Sequence, residues 1–221
     1  MFTGIIQTLG EVTSAEKRDG DVRLVIGTDG LAEEVIELGD SIACNGVCLT
    51  VIDMSQSGNN RIFVFDVSNE SISKSLIADW KAGQKLNMEL AMLPTTRFGG
   101  HIVSGHVDGL GEVLHMEEDA RSWRIWFRAQ TDLAKYIASK GSITIDGVSL
   151  TVNGVDGADF HVNIVPHTMQ VTTLGYRKVG DRVHLEIDVV ARYLERLLHS
   201  GDIKKTDISL ETLANNGYLE R

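Results

Sequence analysis

A chain of 221 residues has room for two compact domains of about 100 residues each. Its hydrophobic fraction of 43% and charged fraction of 24% are ordinary for a globular protein, and a formal net charge of −10 argues against a nucleic-acid partner, because phosphate binding needs clustered Lys and Arg. No apolar run approaches the ~18 residues that span a bilayer, and the opening Met1-Phe2-Thr3-Gly4-Ile5-Ile6-Gln7 lacks the basic stretch of a secretory leader, so a cytoplasmic protein without membrane contact is expected.

In chain order, Gly4-Ile5-Ile6-Gln7-Thr8-Leu9-Gly10-Glu11-Val12 comes first and returns as Gly105-His106-Val107-Asp108-Gly109-Leu110-Gly111-Glu112-Val113. Arg23 to Ile26, Ser41 to Ala43, Val47 to Ile52, Ile62 to Val67 and Lys85 to Leu90 are β-rich runs with partial alternation. Leu31 to Glu37 reads as a short helix, and a second helix opens near Ser71. Asn45-Gly46 is a strong two-residue hairpin signal. It pairs Cys44 with Val47 and Ala43 with Cys48, so the two sulfurs point to opposite faces and no disulfide is expected.

Ser41 to Val51 and Ser142 to Val152 are identical at seven of eleven positions, and Asp146-Gly147 repeats the hairpin signal. Beyond a shorter turn the register changes, and Phe63 matches Phe160, Asp66 matches Asn163, Ser71 matches Thr168 and Glu89 matches Glu186. The second copy accordingly predicts strands over Trp123 to Arg128, Ile143 to Ile145, Val148 to Val152, Phe160 to Val165 and Arg182 to Ile187. Its helical stretches fall at Leu133 to Ala138 and just after Pro166. Pro94 lies in the Met92 to Phe98 boundary, so the domains are expected at 1–97 and 98–189. Short, closely spaced strands with little helix fit small closed barrels. Over 190–221, Val190, Leu194, Leu197 and Leu198 recur at helical spacing; this stripe packs on its own barrel or on another subunit. Ser209 to Asn216 reads as a last short helix ended by Gly217.

Shared glycines such as Gly4 and Gly105 serve backbone geometry common to both copies. Differences at matched positions are drift, or they divide the work of two related pockets: Cys48 against Ser149, Ile5 against His106, Glu70 against His167, Gly39 against Lys140. Cys48 is a small buried hydrophobe or a nucleophile. His106 is a surface histidine or a general base. His101 and His106, five apart on an extended segment, face opposite ways and do not suggest a shared metal. No phosphate-binding loop, nucleophile elbow or dinucleotide fingerprint is present.

Met1-Phe2-Thr3-Gly4-Ile5-Ile6, Asn45-Gly46-Val47-Cys48-Leu49-Thr50-Val51, Gly99-Gly100-His101 with Ser104-Gly105-His106, and Asp146-Gly147-Val148-Ser149-Leu150-Thr151-Val152 together resemble the riboflavin synthase family. The resemblance runs in order over about residues 1–190. It implies an all-β dominated fold of two similar closed six-stranded Greek-key barrels in tandem plus a C-terminal α-helix. It also implies dismutation of two 6,7-dimethyl-8-ribityllumazine molecules, one giving a four-carbon unit to the other, to yield riboflavin and 5-amino-6-ribitylamino-uracil without metal or cofactor. A homotrimer joined through the C-terminal helices, with two substrates per site shared between subunits, is part of the same expectation, and an association with lumazine synthase stays open. The N-terminal pocket is expected to use Gly4, Ile5, Ile6, Cys48, Leu49, Thr50, Asp66, Val67, Ser68, Asn69, Glu70 and Ser71. The C-terminal pocket is expected to use Gly105, His106, Val107, Lys140, Ser149, Leu150, Thr151, Asn163, Ile164, Val165, Pro166, His167 and Thr168. Carried-over candidates for chemistry are His106 as acid or base, Cys48 and Ser149 near the reacting carbons, Ser41, Asp188 polarising a neighbour, and Phe2 stacking on or closing the site. The other reading on the same repeat is a non-catalytic lumazine- or flavin-binding protein.

Overall fold

The computed structural model describes residues 1–18 and 20–199. The first repeat forms a seven-stranded antiparallel sheet from Thr8–Arg18 (β1), Asp21–Thr28 (β2), Ser41–Cys44 (β3), Val47–Thr50 (β4), Asp53–Ser57 (β5), Asn60–Val67 (β6) and Lys85–Leu90 (β7), in the order β4-β3-β7-β1-β2-β6-β5. The second forms a closed six-stranded barrel from Gly109–Asp119 (β8), Ser122–Ala129 (β9), Ser142–Ile145 (β10), Val148–Asp156 (β11), Asp159–Ile164 (β12) and Arg182–Ile187 (β13). Its order β10-β11-β12-β9-β8-β13 contains a Greek key, because β9 reaches β10 by a long connection and lies beside β12.

Two similar closed barrels are thus not what the chain makes. The strand continuous as β11 is split in the first repeat, where Val51 and Ile52 leave the ladder between β4 and β5. The Val51 N–H bonds the Asp40 carbonyl, as the matched Val152 N–H bonds that of Gly141, and the Ile52 N–H bonds the Val64 carbonyl on β6. In the second repeat the same stretch is absorbed as a bulge between Val152 and Gly154, and the ladder continues. The first sheet is therefore curled but open between its end strands.

The longest strands, β1 and β8, escape the sequence pattern. Each begins on a glycine-containing stretch and ends on charged residues, Glu16-Lys17-Arg18 and Glu117-Glu118-Asp119, so alternation is visible only in the middle. The helix expected over Leu31 to Glu37 is a turn, and its counterpart keeps only one 3₁₀ turn at Ala134–Tyr136. Arg61 explains the first case: its guanidinium donates to the carbonyls of Leu31 and Glu34, replacing helical partners, while Leu31 is buried in the core. The later helices form where expected, at Asn69–Lys74 (α1) and Pro166–Val171 (α2), the second with Pro166 in its first turn.

Inward residues alternate as strands demand. Val22, Leu24 and Ile26 on β2 and Ile125, Phe127 and Ala129 on β9 fill the two cores. Cys44 packs into the first core while Cys48 lies on the other face; the register pairs Ala43 with Cys48 and Cys44 with Val47, and both thiols are free. Burial pushes the Cys44 thiol far up, so it stays protonated.

The repeats meet turn to turn. Asn45, Gly46, Asp146 and Gly147 all have positive φ, as a type I′ hairpin requires. A Cβ on Gly46 would lie 2.8 Å from the Gly147 nitrogen, and one on Gly147 would lie 2.7 Å from the Gly46 nitrogen. Matched residues then bridge the junction. Asn87 donates from its amide to the Asp146 carbonyl and accepts from Thr173 N–H. His184, its mate, accepts at Nε2 from Leu76 N–H, so Nδ1 carries the proton and donates to the Asn45 carbonyl. Burial lowers the His184 pKa, although Asp146 opposes the shift, and the neutral ring fits these bonds.

Val190 onward is a separate unit. The helix Val189–His199 (α3) carries Leu194 and Leu198 one turn apart, both more than half exposed. The last helix expected, Ser209 to Asn216, lies outside the described residues. Among the described residues no helix is long and apolar enough to cross a membrane.

Candidate active site

The site is built by segments that cross between repeats. Phe2 and Val103, matched positions, form a two-way antiparallel bridge, with N–H···O distances of 2.8 and 3.1 Å. From there each chain segment runs onto the other repeat. The Gly4 carbonyl accepts from Ser149 N–H and the Gly105 carbonyl from Cys48 N–H, both at 2.8 Å. Ile6 packs against the second core and Val107 against the first. Gly4 and Gly105 have positive φ, and a Cβ on either would sit 2.6 to 2.7 Å from the opposing Ser149 or Cys48 Cβ, so no other residue fits.

This exchange corrects the expected grouping: Gly4, Ile5 and Ile6 belong with Ser149, and Gly105, His106 and Val107 belong with Cys48. The reason is topological, since the strand leaving each segment pairs within its own repeat while the segment itself docks on the neighbour.

Around Cys48 the structure forms a pocket of about 280 Å³ lined by Val47, Cys48, Glu70, Ser71, Lys74, Ser75, Gly105, His106 and Val107. It lies on the outer face of β4. Residues two apart on a strand share a face, and cross-strand partners join them, so Cys48 and Thr50 stand with Ala43 and Ser41. Helix α1 supplies Glu70, Ser71 and Lys74 from above. On the second repeat, Ser149 and Thr151 share the corresponding face of β11 with Thr144 and Ser142, and α2 carries His167 and Thr168 at the positions matched to Glu70 and Ser71.

The other expected residues divide. Leu49, Val67 and Ile164 are buried in the cores, and Leu150 packs against one, so they can reach a ligand only through backbone atoms. Asp66 is engaged by both nitrogens of an Arg23 fork at 2.8 Å, which holds its carboxyl below the usual range. Ser68 and Asn69 open α1; Val165 and Pro166 open α2. Asn163 has its N–H tied to the Asn153 side chain. Lys140 holds a positive φ of 67° where the first repeat has Gly39, with its N–H on the Val152 carbonyl. Phe2 is fully buried against Ala43 and Val103, so it supports the pocket from behind and cannot stack on a ligand. Asp188 acts electrostatically on His101.

Val47, Lys74 and Ser75 line the Cys48 pocket without having been expected there, and two further kinds of residue were missed. Glu89 and Glu186 are buried carboxylates that clamp the crossing segments: Glu89 accepts from Thr3 N–H, Thr3 hydroxyl and Gly4 N–H, and Glu186 from the N–H groups of Ser104, Gly105 and His106. Burial raises both pKa values, that of Glu186 to about 7, against the pull of those donors. Their identity at matched, strand-interior positions was the available signal. The other is His101, buried, with Nδ1 2.7 Å from the Ser149 hydroxyl. Among the described residues no group of three or more His, Cys, Asp or Glu side chains is placed to hold a metal.

Comparison with known proteins accords with this architecture. The lumazine binding domain matches twice, at residues 3–91 and 104–188. Riboflavin synthase of Photobacterium phosphoreum is 45% identical over 221 residues, covering 99% of this chain and 100% of that protein. Riboflavin synthase of Bacillus subtilis is 38% identical, with 99% and 100% covered. Among solved structures, LumP complexed with riboflavin superposes with a TM-score of 0.76 at 26% identity, covering 85% of this chain and 99% of that one.

Proposed function

The chain belongs to the riboflavin synthase family, and we propose that its two pockets each take one 6,7-dimethyl-8-ribityllumazine and set the pair up for four-carbon transfer. The products are riboflavin and 5-amino-6-ribitylamino-uracil, in the last step of riboflavin biosynthesis. The observation that carries this reading is the reciprocal exchange: two pockets of one backbone design with unequal reactive groups, as a reaction between two copies of one molecule requires. Cys48, with Thr50, Glu70, Ser71 and the crossing Gly105, His106 and Val107, forms one pocket. Ser149, with Lys140, Thr151, His167, Thr168 and the crossing Gly4, Ile5 and Ile6, forms the other.

Within this scheme His106 serves as acid or base beside Cys48, Ser149 stands near the reacting carbons of the second lumazine, and Ser41 supports Thr50 from the paired strand. Holding two rings face to face supplies much of the rate, since orientation is worth roughly 7–11 kcal/mol of barrier. The lumazine-binding units are residues 1–97 and 98–189. The segment 190–221 joins subunits into a homotrimer through the apolar stripe of α3, and one subunit's Cys48 pocket meets another's Ser149 pocket. Two free cysteines suit the reducing cytoplasm.

The test is direct. Purified protein mixed with the lumazine is expected to develop riboflavin absorbance; binding without riboflavin, with trimers present, would leave a lumazine-binding protein instead of an enzyme.

A further inference from the structure

His101 stands at Ser149 in the second pocket, where His106 stands at Cys48 in the first. Gly99 and Gly100 precede His101, and a Cβ on Gly100 would fall 2.9 Å from the Ser149 Cβ, so the chain is pressed onto Ser149 at this point. The His101 N–H donates to the Thr3 carbonyl, and Nδ1 lies 2.7 Å from the Ser149 Oγ. Ser149 is thus held by its own N–H on Gly4 and by its hydroxyl on His101. Among the described residues the far nitrogen of the ring, Nε2, is buried without a hydrogen-bond partner, and Nδ1 is the ring atom that meets Ser149.

We propose that His101 is a positioning residue for the reaction, acting through Ser149: it orients the serine hydroxyl in the second pocket and takes up its proton when the serine oxygen accepts one from the bound lumazine. Proton count is conserved. The lumazine C–H gives its proton to Oγ and keeps the electron pair, while the original hydroxyl proton passes to Nδ1 and the ring becomes imidazolium; the reverse transfer returns the proton later. The neutral ring suits the acceptor role, since burial lowers the His101 pKa, and the Asp188 charge favours the imidazolium once formed. The first pocket works differently, with His106 on the crossing segment beside Cys48.

This inference rests on reading Ser149 as a group of the second lumazine pocket, and kinetics of the full-length protein separate the two. His101→Ala is expected to lower kcat by about 10²-fold, the low end for a proton-transfer group, with KM little changed. Ser149→Ala should do the same, and the double variant should be no slower than Ser149→Ala alone. Asn at position 101 can still hydrogen-bond Ser149 but cannot accept the proton, so His101→Asn is expected to regain the thermal midpoint of the parent while kcat stays low. Recovery of kcat by His101→Asn would reduce His101 to a spacer and overturn the proposal, as would losses that multiply in the double variant. A Ser149→Ala protein at full rate would instead remove Ser149 from the reaction, and the reading beneath the proposal with it.

Discussion

The two repeats run one backbone plan through different side chains. In the first, the strand after the hairpin breaks at Val51 and Ile52 and the sheet stays open; in the second, the same strand bulges and the barrel closes. At the junction Asn87 in one corresponds to His184 in the other, and both bridge the repeats with one donor and one acceptor. At the clamps Glu89 and Glu186 are the same residue. Geometry is conserved wherever a segment must cross, and chemistry diverges wherever a pocket opens: Cys48 with His106, Ser149 with His101.

Removing the element that neither repeat contains should have the largest effect. Truncation after Asp188 is expected to give a monomer by light scattering with riboflavin formation nearly abolished; a truncated chain that stays trimeric would contradict the role given to α3. Mixing the two unequal halves comes next. Cys48→Ala and Ser149→Ala proteins, each impaired, should regain about a quarter of parental activity after joint unfolding and reassembly, because half the subunits retain each intact pocket and a cyclic arrangement pairs them at random. No recovery would mean that both pockets of a working site lie in one subunit.

Substitution of Gly147 by Ala tests the turn-to-turn contact, where positive φ and the Gly46 backbone both oppose a Cβ. About 2–4 kcal/mol of unfolding free energy should be lost in urea denaturation. Glu186→Gln should cost less, about 1–3 kcal/mol, because its amide turns a donor toward backbone N–H groups.

The effects of pH come from single groups and have opposite signs. The Glu186 carboxyl rises from an ordinary 4.5 to about 7 on folding, so its contribution is full below pH 4.5 and disappears as pH rises through 7. The folded His184 has a pKa below its ordinary 6.5, so the unfolded chain binds the proton first; its contribution is full above pH 6.5 and declines as pH falls below it. Denaturation series from pH 4 to 8 should show the acid-side decline shrink in His184→Asn, which borrows the residue of its mate, and the opposing slope shrink in Glu186→Gln. An unchanged profile in either variant would show that the titrating group lies elsewhere.

Much of the local structure was legible. Asn45-Gly46 and Asp146-Gly147 announced both hairpins with the right pairing, and from that pairing followed the opposite faces of Cys44 and Cys48. Pro166 marked α2. The strands β1 and β8 were not legible, because glycine and charge at their ends hide the alternation, nor was the turn at Leu31, whose carbonyls are satisfied by Arg61 from thirty residues away. Cys48, Glu70, Ser71, Gly105, His106 and Val107 were legible as lining of the first pocket; Val47, Lys74 and Ser75, which also line it, were not, nor were Glu89, Glu186 and His101, whose partners lie far away in the chain.

What the sequence by itself determined is the duplication, the hairpins and the list of paired differences, since each depends on residues close in the chain or on direct comparison of two segments. Which difference serves which pocket was decided only in three dimensions. Phe2 finds Val103, Gly4 finds Ser149 and Gly105 finds Cys48 because backbone groups at the junction must be paired once they are buried, and the partners that satisfy them stand in the other repeat.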